Sequence, residues 1–569
     1  MRISKGGYSV HAIVGSHAVL FGFDADEAAR DGLLGFAIGV RQRDGGVQWL
    51  RGFKFFARTA PAVIAGERRS TRQHPIQDFQ WGDYGISPGE TKAYVILPLK
   101  GTPDDLVPGP EIEMTVTAAA PDGDHQVFYN RGAIPSQAFA DRFDNVGPTD
   151  AEQIDPTNEK TRWLSRGLLE AALAFIAEAT GPRFELRVAA YEFTYPPIAA
   201  ALRAAAGRGA TVRLVYDIGD RRRDGTLVPT HTSQASAALI AASGLGGAAN
   251  ASLHGRSRYS AITHNKFMLL IDNGQPAAVW TGSTNFTPSG FLGQTNLAHL
   301  IRDPGLAAAF SAYWELLAAD PETRSFKAAV AALSPDPAEP LPENALIPIF
   351  SPRPAGMLQW YARALAGAQS SAFFTAAFGV AEPLARVFGA QADHLRLILA
   401  ERRDRNPDIV ALLHADFDTQ IAYGERLNAQ SIALGLPGAA LDQWFRAEEH
   451  FRKRGKIFYI HTKFLALDLL GDMPAIFTGS ANFSKGSVES NDENMVLMRG
   501  PAFRGVADVH ATEFMRLFNH LYFRTVAIRK ARQGRGDPAK AAVLAPDDAW
   551  VARHFKSGSY HDRMRHLFR

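Results

Sequence analysis

Short segments of alternating hydrophobic and polar residues characterise the first part of the chain. Residues Tyr8–Phe23 alternate, with Val10, Ala12 and Val14 on one side. Similar segments follow at Leu34–Val40, Trp49–Phe56, Thr91–Leu97 and Glu111–Thr117. Because side chains alternate between the two faces of a strand, and turn residues separate the segments, the pattern predicts an antiparallel β-sandwich over residues 1–145. We find no chemical motif in it and expect an accessory, structural or partner-binding role.

A helical pattern begins near Trp163, after a polar stretch from Asp141 to Lys160 that is typical of a linker. The elements predicted next are a strand, a helix and a second strand, over Phe184–Ala190, Ile198–Ala206 and Thr211–Tyr216. This order predicts a βαβ unit whose two strands are parallel, and therefore an α/β fold.

The same order of elements recurs later in the chain. A helix, a strand, a helix and a strand are predicted at Leu358–Ala366, Phe373–Phe378, Pro383–Phe388 and His394–Leu399. Each second strand runs into a basic turn, Arg221–Asp224 in one copy and Arg402–Arg405 in the other. Self-similarity at this spacing predicts a duplicated domain. Four prolines within Ser334–Glu343 mark the boundary, so we expect two α/β lobes at 155–335 and 345–530.

Composition agrees with a large folded protein of several domains. Of its 569 residues, 46% are hydrophobic and 21% are charged, which excludes a disordered chain. No apolar run is long enough to span a bilayer, so no transmembrane segment is predicted. The first residues, Met1–Val14, lack the apolar core and cleavage site of a secretory signal, and a cytoplasmic location is expected by default. The absence of cysteine excludes disulfides, thiol nucleophiles and thiolate metal sites.

Charge is balanced overall but uneven along the chain. The formal net charge is +3, too small to indicate nucleic-acid binding by itself. The region 531–569 is a basic C-terminal tail, because Val526–Arg569 holds ten Lys or Arg residues and four Asp. Its mixture of aromatic and basic residues is typical of a solvated end or of a patch that contacts a membrane or polyanion. That mixture consists of Trp550, His554, Phe555 and Lys556.

The strongest repeat is a polar motif near the end of each lobe. The first copy is Thr263-His264-Asn265-Lys266, followed by Thr281-Gly282-Ser283-Thr284-Asn285, and the second is His461-Thr462-Lys463, followed by Thr478-Gly479-Ser480-Ala481-Asn482. In both copies 21 residues separate the histidine from the asparagine. The next matching polar position, 32 residues after the histidine, is Asn296 in one copy and Glu493 in the other.

The residue types in this motif point to anion binding. Side chains two apart on a strand share a face, so each histidine and its lysine project together. Buried together, an imidazole and an ammonium need an anionic partner. Two copies meeting across a pseudo-twofold axis would form one site for a tetrahedral anion, with no metal or cofactor required. A monomer with this internal symmetry is expected.

This pattern resembles the phospholipase D superfamily, whose mark is a duplicated H-x-K-x4-D motif followed by G-S-x-N. The resemblance covers about Thr161–Arg524 and implies two phospholipase D-like lobes in a pseudo-dimer. It implies that His264 attacks phosphorus and that His461 serves as general acid and base. The side chains implied to hold the phosphate oxygens, with the two serines in support, are Lys266, Lys463, Asn285, Asn482, Ser283 and Ser480.

Two positions depart from that pattern. Asp468 lies seven residues after His461, as the motif requires, but Asp272 lies eight after His264, which reverses its side in a strand. Asp468 is expected to give local support. We also expect Asn296 to orient His264, while Glu493 acts in the second lobe and makes His461 the better proton carrier.

The resemblance implies a phosphodiester substrate, for which the sequence favours a phospholipid over a nucleic acid. Many aromatic residues and the accessory module favour peripheral contact with a lipid surface, whereas the two basic turns favour a DNA or RNA backbone. A third alternative is a non-catalytic binding protein, which would leave every diester intact.

Overall fold

The computed structural model describes residues 1–60, 68–132, 139, 142–144, 146–223, 226–257, 261–424, 460–532 and 543–569. The fold is mixed α/β with several sheets, which confirms the predicted class. Among the described helices, none combines the length and apolar character needed to cross a bilayer.

Two antiparallel sheets lie in the N-terminal region. Four strands form one sheet, in the order Arg2–Lys5, Tyr8–Val14, Val19–Ala25 and Gln80–Asp83. The other contains Asp105–Pro108, Thr91–Thr102, Gly35–Arg41, Val47–Trp49 and Ile112–Thr117. Both sheets contribute to one apolar core that includes Phe21, Phe36 and Tyr94. The predicted strand Trp49–Phe56 is broken after Trp49, because Arg51–Gly52 pairs separately with Arg69–Ser70. A short helix spans Glu27–Arg30.

A seven-stranded sheet follows, in the order His125–Tyr129, Leu297–Ile301, Gln275–Gly282, Lys266–Asp272, Phe184–Ala190, Thr211–Asp217 and Ala251–Arg256. We call it the first-lobe sheet. Its central pair, Phe184–Ala190 and Thr211–Asp217, is parallel as predicted. One strand departs from the predicted boundaries: His125–Tyr129 falls within 1–145 but pairs with Leu297–Ile301, so the lobe takes a strand from before the polar stretch.

Helices flank this sheet at Asp150–Gln153, Glu159–Ser165, Leu168–Ala177, Pro196–Gly207, His231–Ser243, Pro304–Ala318 and Thr323–Leu333. A small hairpin joins Asp220–Arg223 to Thr226–Pro229. Alanine and leucine fill the helix Pro196–Gly207, whose inner face is buried against the sheet. Proline at its start suits the first helical turn, where no backbone donor is needed.

A second seven-stranded sheet repeats the arrangement, in the order Ala345–Ser351, Glu493–Arg499, Ala475–Gly479, Phe464–Leu467, Ser371–Ala376, Leu395–Ala400 and Thr419–Tyr423. We call it the second-lobe sheet. Its helices span Met357–Ala366, Glu382–Gly389, Pro407–Leu413, Lys485–Glu489 and Arg504–Arg532. Strand by strand, the order matches that of the first-lobe sheet. Side chains of both lobes share one core, where the rings of Tyr313 and Phe350 stack 4.2 Å apart.

The C-terminal region returns to the N-terminal sheets. Helix Tyr560–Phe568 packs on strand Val19–Ala25. Trp550 is 6% exposed and its indole nitrogen donates to the Leu33 carbonyl at 2.8 Å. His554 is buried as well. The expectation of an interfacial patch here is therefore wrong for these two residues, because they complete the core beside Phe79.

Candidate active site

His264 lies between the first-lobe sheet and the residues that lead into the second-lobe sheet. The strand that carries its motif begins at Lys266, so the histidine stands just before the strand. Its neighbour Thr263 forms a parallel bridge with Asp492 of the second lobe. The imidazole Nδ1 of His264 lies 2.8 Å from a carboxylate oxygen of Glu493, which is fully buried. A carboxylate from the opposite lobe therefore orients this ring.

His461 is held in the equivalent way. Its neighbour Ile460 bridges to Thr295 of the first lobe. The His461 Nδ1 lies 2.8 Å from the side-chain oxygen of Asn296. Each histidine is thus held by a side chain of the lobe to which it does not belong.

The expected pairing within each lobe is wrong. Asn296 contacts His461 instead of His264, and Glu493 contacts His264 instead of His461. The reason is geometric: the bridges place each polar residue against the opposite histidine. Equal spacing in the two copies gives no information about which of the two histidines a residue contacts.

The serines of the G-S-x-N turns hold these two orienting side chains. Ser480 Oγ donates to Glu493 at 2.6 Å, and Ser283 Oγ donates to Asn296 at 2.9 Å. A β-carbon on Gly282 would lie 2.3 Å from the Leu297 carbonyl oxygen. Only glycine allows this approach of two backbones, and it brings the serine into reach.

The proton positions on His461 follow from this network. Asn296 donates its amide nitrogen to the Gly290 carbonyl at 2.8 Å, so its oxygen faces Ser283 and His461. The Nδ1 of His461 must therefore donate, which leaves the Nε2 lone pair free in the neutral ring. Lys463 Nζ lies 3.1 Å from that Nε2.

Two buried lysines flank the histidines. Lys266 Nζ donates to the His264 carbonyl at 2.7 Å, and Lys463 Nζ donates to the His461 carbonyl at 2.9 Å. Burial lowers the pKa of Lys266 to about 8 and lowers the pKa of Lys463 well below its usual value. Because burial penalises the two ammonium groups, an anionic ligand beside them would be favoured.

Burial also shifts the pKa values of the other site groups. It lowers the pKa values of His264 and His461 well below the usual range, and the two lysines add to that effect. Burial raises the pKa of Glu493 to about 7. Burial thus disfavours the charged form of both His264 and Glu493.

The two asparagines of the G-S-x-N turns differ in their contacts. Asn285 donates its amide nitrogen to the carboxylate of Glu192 at 2.5 Å. Asn482 is half-buried, and its backbone N–H donates to Ser487 Oγ at 3.2 Å. Among the described residues, the side-chain oxygens of both asparagines are buried without a hydrogen-bond partner.

Asp468 and Asp272 lie at the far end of their strands, away from the histidines. Asp468 accepts hydrogen bonds from the backbone of Gln369, Ser370 and Ser371 at 2.6 to 3.1 Å. Asp272 instead pairs with Arg183 at 2.5 Å. A register shift between Leu270 and Ile271 accompanies the extra residue in the first copy. Both carboxylates tie the motif strand to the start of its neighbour.

Three acidic residues near the site escaped the sequence analysis. Asp217 accepts from the Thr263 N–H at 3.2 Å, and Glu401 accepts from the Ile460 N–H at 2.8 Å. Each holds the residue before a motif histidine. Glu192 is the third. All three lie at or just beyond the carboxyl end of a parallel strand, which is where α/β proteins place their sites, and that position was the available signal.

No group of three or more His, Asp or Glu side chains is placed to hold a metal ion among the described residues. The expectation that the site needs neither metal nor cofactor stays a prediction.

Residues 173–317 match the family model described as the phospholipase D-like domain of cardiolipin synthase. A phospholipase D family member, Nuc from Salmonella typhimurium, is 31% identical over 26% of this chain and 85% of its own, with a TM-score of 0.20. The chain belongs to the phospholipase D superfamily. No curated protein matches it in sequence.

Two other solved structures are similar to the chain at lower identity. Phosphatidylserine synthase from Haemophilus influenzae is 12% identical over 67% of this chain and 94% of its own, with a TM-score of 0.41. Polyphosphate kinase from Porphyromonas gingivalis is 10% identical, with a TM-score of 0.37 and 59% of this chain covered. The chain covers 46% of that kinase, about half its length.

Proposed function

We propose that this chain is a phosphodiesterase that works through a phosphohistidine, with His264 as nucleophile and His461 as general acid and base. The observation that carries the proposal is the crossed support of the histidines, by Glu493 on one side and Asn296 on the other. A carboxylate on Nδ1 makes the opposite ring nitrogen more nucleophilic and stabilises the positive ring of a phosphohistidine. A neutral amide leaves His461 the stronger acid once protonated.

The proposed cycle has two displacements. In the first, Nε2 of His264 bonds to phosphorus as the bond to the leaving oxygen breaks, and His461 gives that oxygen its proton. In the second, His461 takes a proton from water, whose oxygen bonds to phosphorus and releases His264. The products are an alcohol and a phosphomonoester. Lys266, Lys463, Asn285 and Asn482 stabilise the charge on the phosphate oxygens.

We further propose that the two lobe sheets form a pseudo-dimer with one shared site. Their matching strand order and the paired bridges between lobes support this arrangement. The two N-terminal sheets, with their common core, are proposed to be a β-sandwich that serves as an accessory module.

A phospholipid is the first proposed substrate, and the protein would reach it by peripheral contact with the lipid surface. Phe378, which lies two residues beyond the strand Ser371–Ala376, is 50% exposed at the edge of the sheet that carries the site. An exposed ring at this edge suits contact with a lipid surface.

A nucleic acid is the second candidate, and the second basic turn favours it. Arg402, Arg403 and Arg405 are exposed beyond the end of strand Leu395–Ala400, on the same edge. Asp404 accepts from the Asn406 N–H instead of pairing with them. Cations along this edge suit a phosphate backbone, and binding through them would weaken steeply with salt.

A paired assay in EDTA tests the function and the substrate. Wild type, His264→Ala and the exposed control His566→Ala receive phosphatidylcholine micelles and single-stranded DNA in parallel. We expect choline release by wild type and control, and its loss in His264→Ala. DNA cleavage lost in His264→Ala, with lipid intact, moves the assignment to a nuclease. Intact diesters throughout leave the binding-protein alternative.

A trapping experiment tests the order of the two histidines. In His461→Ala, an activated diester such as bis(p-nitrophenyl) phosphate needs no acid to leave, but water is no longer activated. We expect one nitrophenolate per protein and a matching mass increase on the His264 peptide. A mass increase on His461 in the His264→Ala variant contradicts the assignment.

A further inference from the structure

Glu192 breaks the symmetry between the lobes. It lies two residues beyond the end of strand Phe184–Ala190, and the corresponding position after Ser371–Ala376 is Phe378. One lobe therefore presents a carboxylate where the other presents a phenyl ring. No motif of either lobe includes this position.

The Glu192 carboxylate engages the groups that the proposed function assigns to the phosphate. The Asn285 amide donates to it at 2.5 Å. Lys266 and Lys463 both attract it, and each lysine is 1% exposed. This carboxylate therefore accepts from the amide donor, and feels the attraction of the ammonium groups, that the proposed function assigns to the substrate anion.

We propose that Glu192 sets the charge selectivity of the phosphate subsite, favouring monoanionic diesters over dianionic phosphomonoesters. This inference rests on the proposed function. When both lysines are protonated and the His264–Glu493 pair is neutral, the Glu192 carboxylate leaves the subsite with a single positive charge. A diester carries one negative charge and balances it, whereas a monoester dianion leaves a buried negative charge uncompensated.

The same charge assists turnover. Hydrolysis converts a monoanionic diester into a monoester that is mostly dianionic at neutral pH. The product therefore meets more repulsion from Glu192 than the substrate did. Glu192 is thus a specificity-determining residue that weakens product binding.

Glu192→Gln tests the inference because it removes the charge and keeps an oxygen for Asn285. The probes are sulfate, a dianion, and methanesulfonate, a monoanion, since both are tetrahedral and inert. Their dissociation constants are measured by calorimetry at pH 7. Coulomb repulsion is proportional to ligand charge, so removing the Glu192 charge should change the binding free energy of sulfate twice as much as that of methanesulfonate. The factor by which sulfate affinity rises should therefore be the square of the factor for methanesulfonate. We expect about tenfold for sulfate and about threefold for methanesulfonate.

Two further variants sharpen the result. Glu192→Asp keeps the charge and should restore the wild-type preference. Glu382→Gln removes an exposed carboxylate from the second lobe, at 59% side-chain exposure, and should change neither constant. In turnover assays, Glu192→Gln should show stronger inhibition by added phosphomonoester.

The outcomes separate the two proposals. Equal gains for both anions, or no gain for sulfate, overturn the inference and leave the phosphodiesterase untouched. Binding of neither anion to wild type or Glu192→Gln overturns the phosphate subsite and the inference together. Selective gain without turnover of any diester supports the subsite and overturns the proposed function.

Discussion

At the scale of single residues, the candidate site contains two matching His–Lys pairs whose neighbouring side chains differ. His264 and His461 are both buried beside a lysine, but one has a carboxylate partner and the other an amide. The motif spacing predicted the residues that are proposed to form the site. Motif spacing could not predict the crossed contacts, because the spacing is the same whether a side chain contacts the histidine of its own lobe or that of the other lobe. Glu192 was missed because it belongs to no repeat.

Replacing Glu493 by Gln should slow phosphohistidine formation by about 10- to 100-fold, since the amide still orients His264 but no longer balances its positive charge. Asn296→Gln keeps a neutral amide beside His461 on a longer side chain, and it should slow this step less. The measurement is the burst of nitrophenolate, which reports phosphohistidine formation alone. Equal losses in both variants would contradict the assignment of His264 as nucleophile.

The lowered pKa of Lys266 predicts that activity and stability change in opposite directions as the pH rises. Its pKa is lowered to about 8, so kcat/KM should fall as the pH rises through about 8 and the ammonium is lost. Between about 8 and the unfolded value near 10.5, the unfolded chain binds more protons, so this group's contribution to stability rises with pH. Rate profiles and urea unfolding from pH 6 to 10 measure both. If Lys266→Arg shows the same fall in kcat/KM at alkaline pH, another group causes that fall.

At the scale of elements, buried strands were predicted best. The strand Phe184–Ala190 has its predicted bounds, and Ser371–Ala376 begins two residues before its prediction, because continuous apolar runs mark strands covered on both faces. The half-exposed ribbon at Arg51–Gly52 was predicted poorly, since its pairing partner Arg69–Ser70 is distant in sequence. Local pattern contains no information about such a partner.

The two motif aspartates should differ in their effect on stability. Asp468→Asn weakens hydrogen bonds to three backbone N–H groups and should lower the free energy of unfolding by about 1 to 2 kcal/mol. Asp272→Asn loses a pair with the mostly exposed Arg183, which is worth less than about 1 kcal/mol. Urea unfolding of each variant measures the difference. Both should keep full kcat, and a catalytic loss in Asp468→Asn would show a role beyond local support.

At the scale of the whole molecule, long-range contacts decide what sequence reasoning could not. The charge of the C-terminal residues predicts a solvated or interfacial tail. Arg565 is instead buried, with Asp24 at 2.7 Å and Asp562 at 2.9 Å. Its partner Asp24 is 541 residues away in the chain, and composition does not reveal such a contact.

A buried ion pair also joins the lobes and should dominate their mutual stability. Arg256 contacts Asp492 at 2.6 Å, and both side chains are fully buried. Arg256→Met leaves a buried carboxylate without this partner, and the free energy of unfolding should fall by about 3 to 5 kcal/mol. The exposed control Arg183→Met should cost less than about 1 kcal/mol. Thermal and urea unfolding of the full chain measure both, and equal losses would contradict the argument.

The crossed support of the histidines also bears on descent. In a symmetric pair of identical chains, both imidazoles would receive the same partner, because a single gene encodes both copies. Glu493 facing one ring and Asn296 facing the other requires two copies whose residues are inherited as separate positions. Separate positions can diverge, and in the same way Glu192 of one copy corresponds to Phe378 of the other.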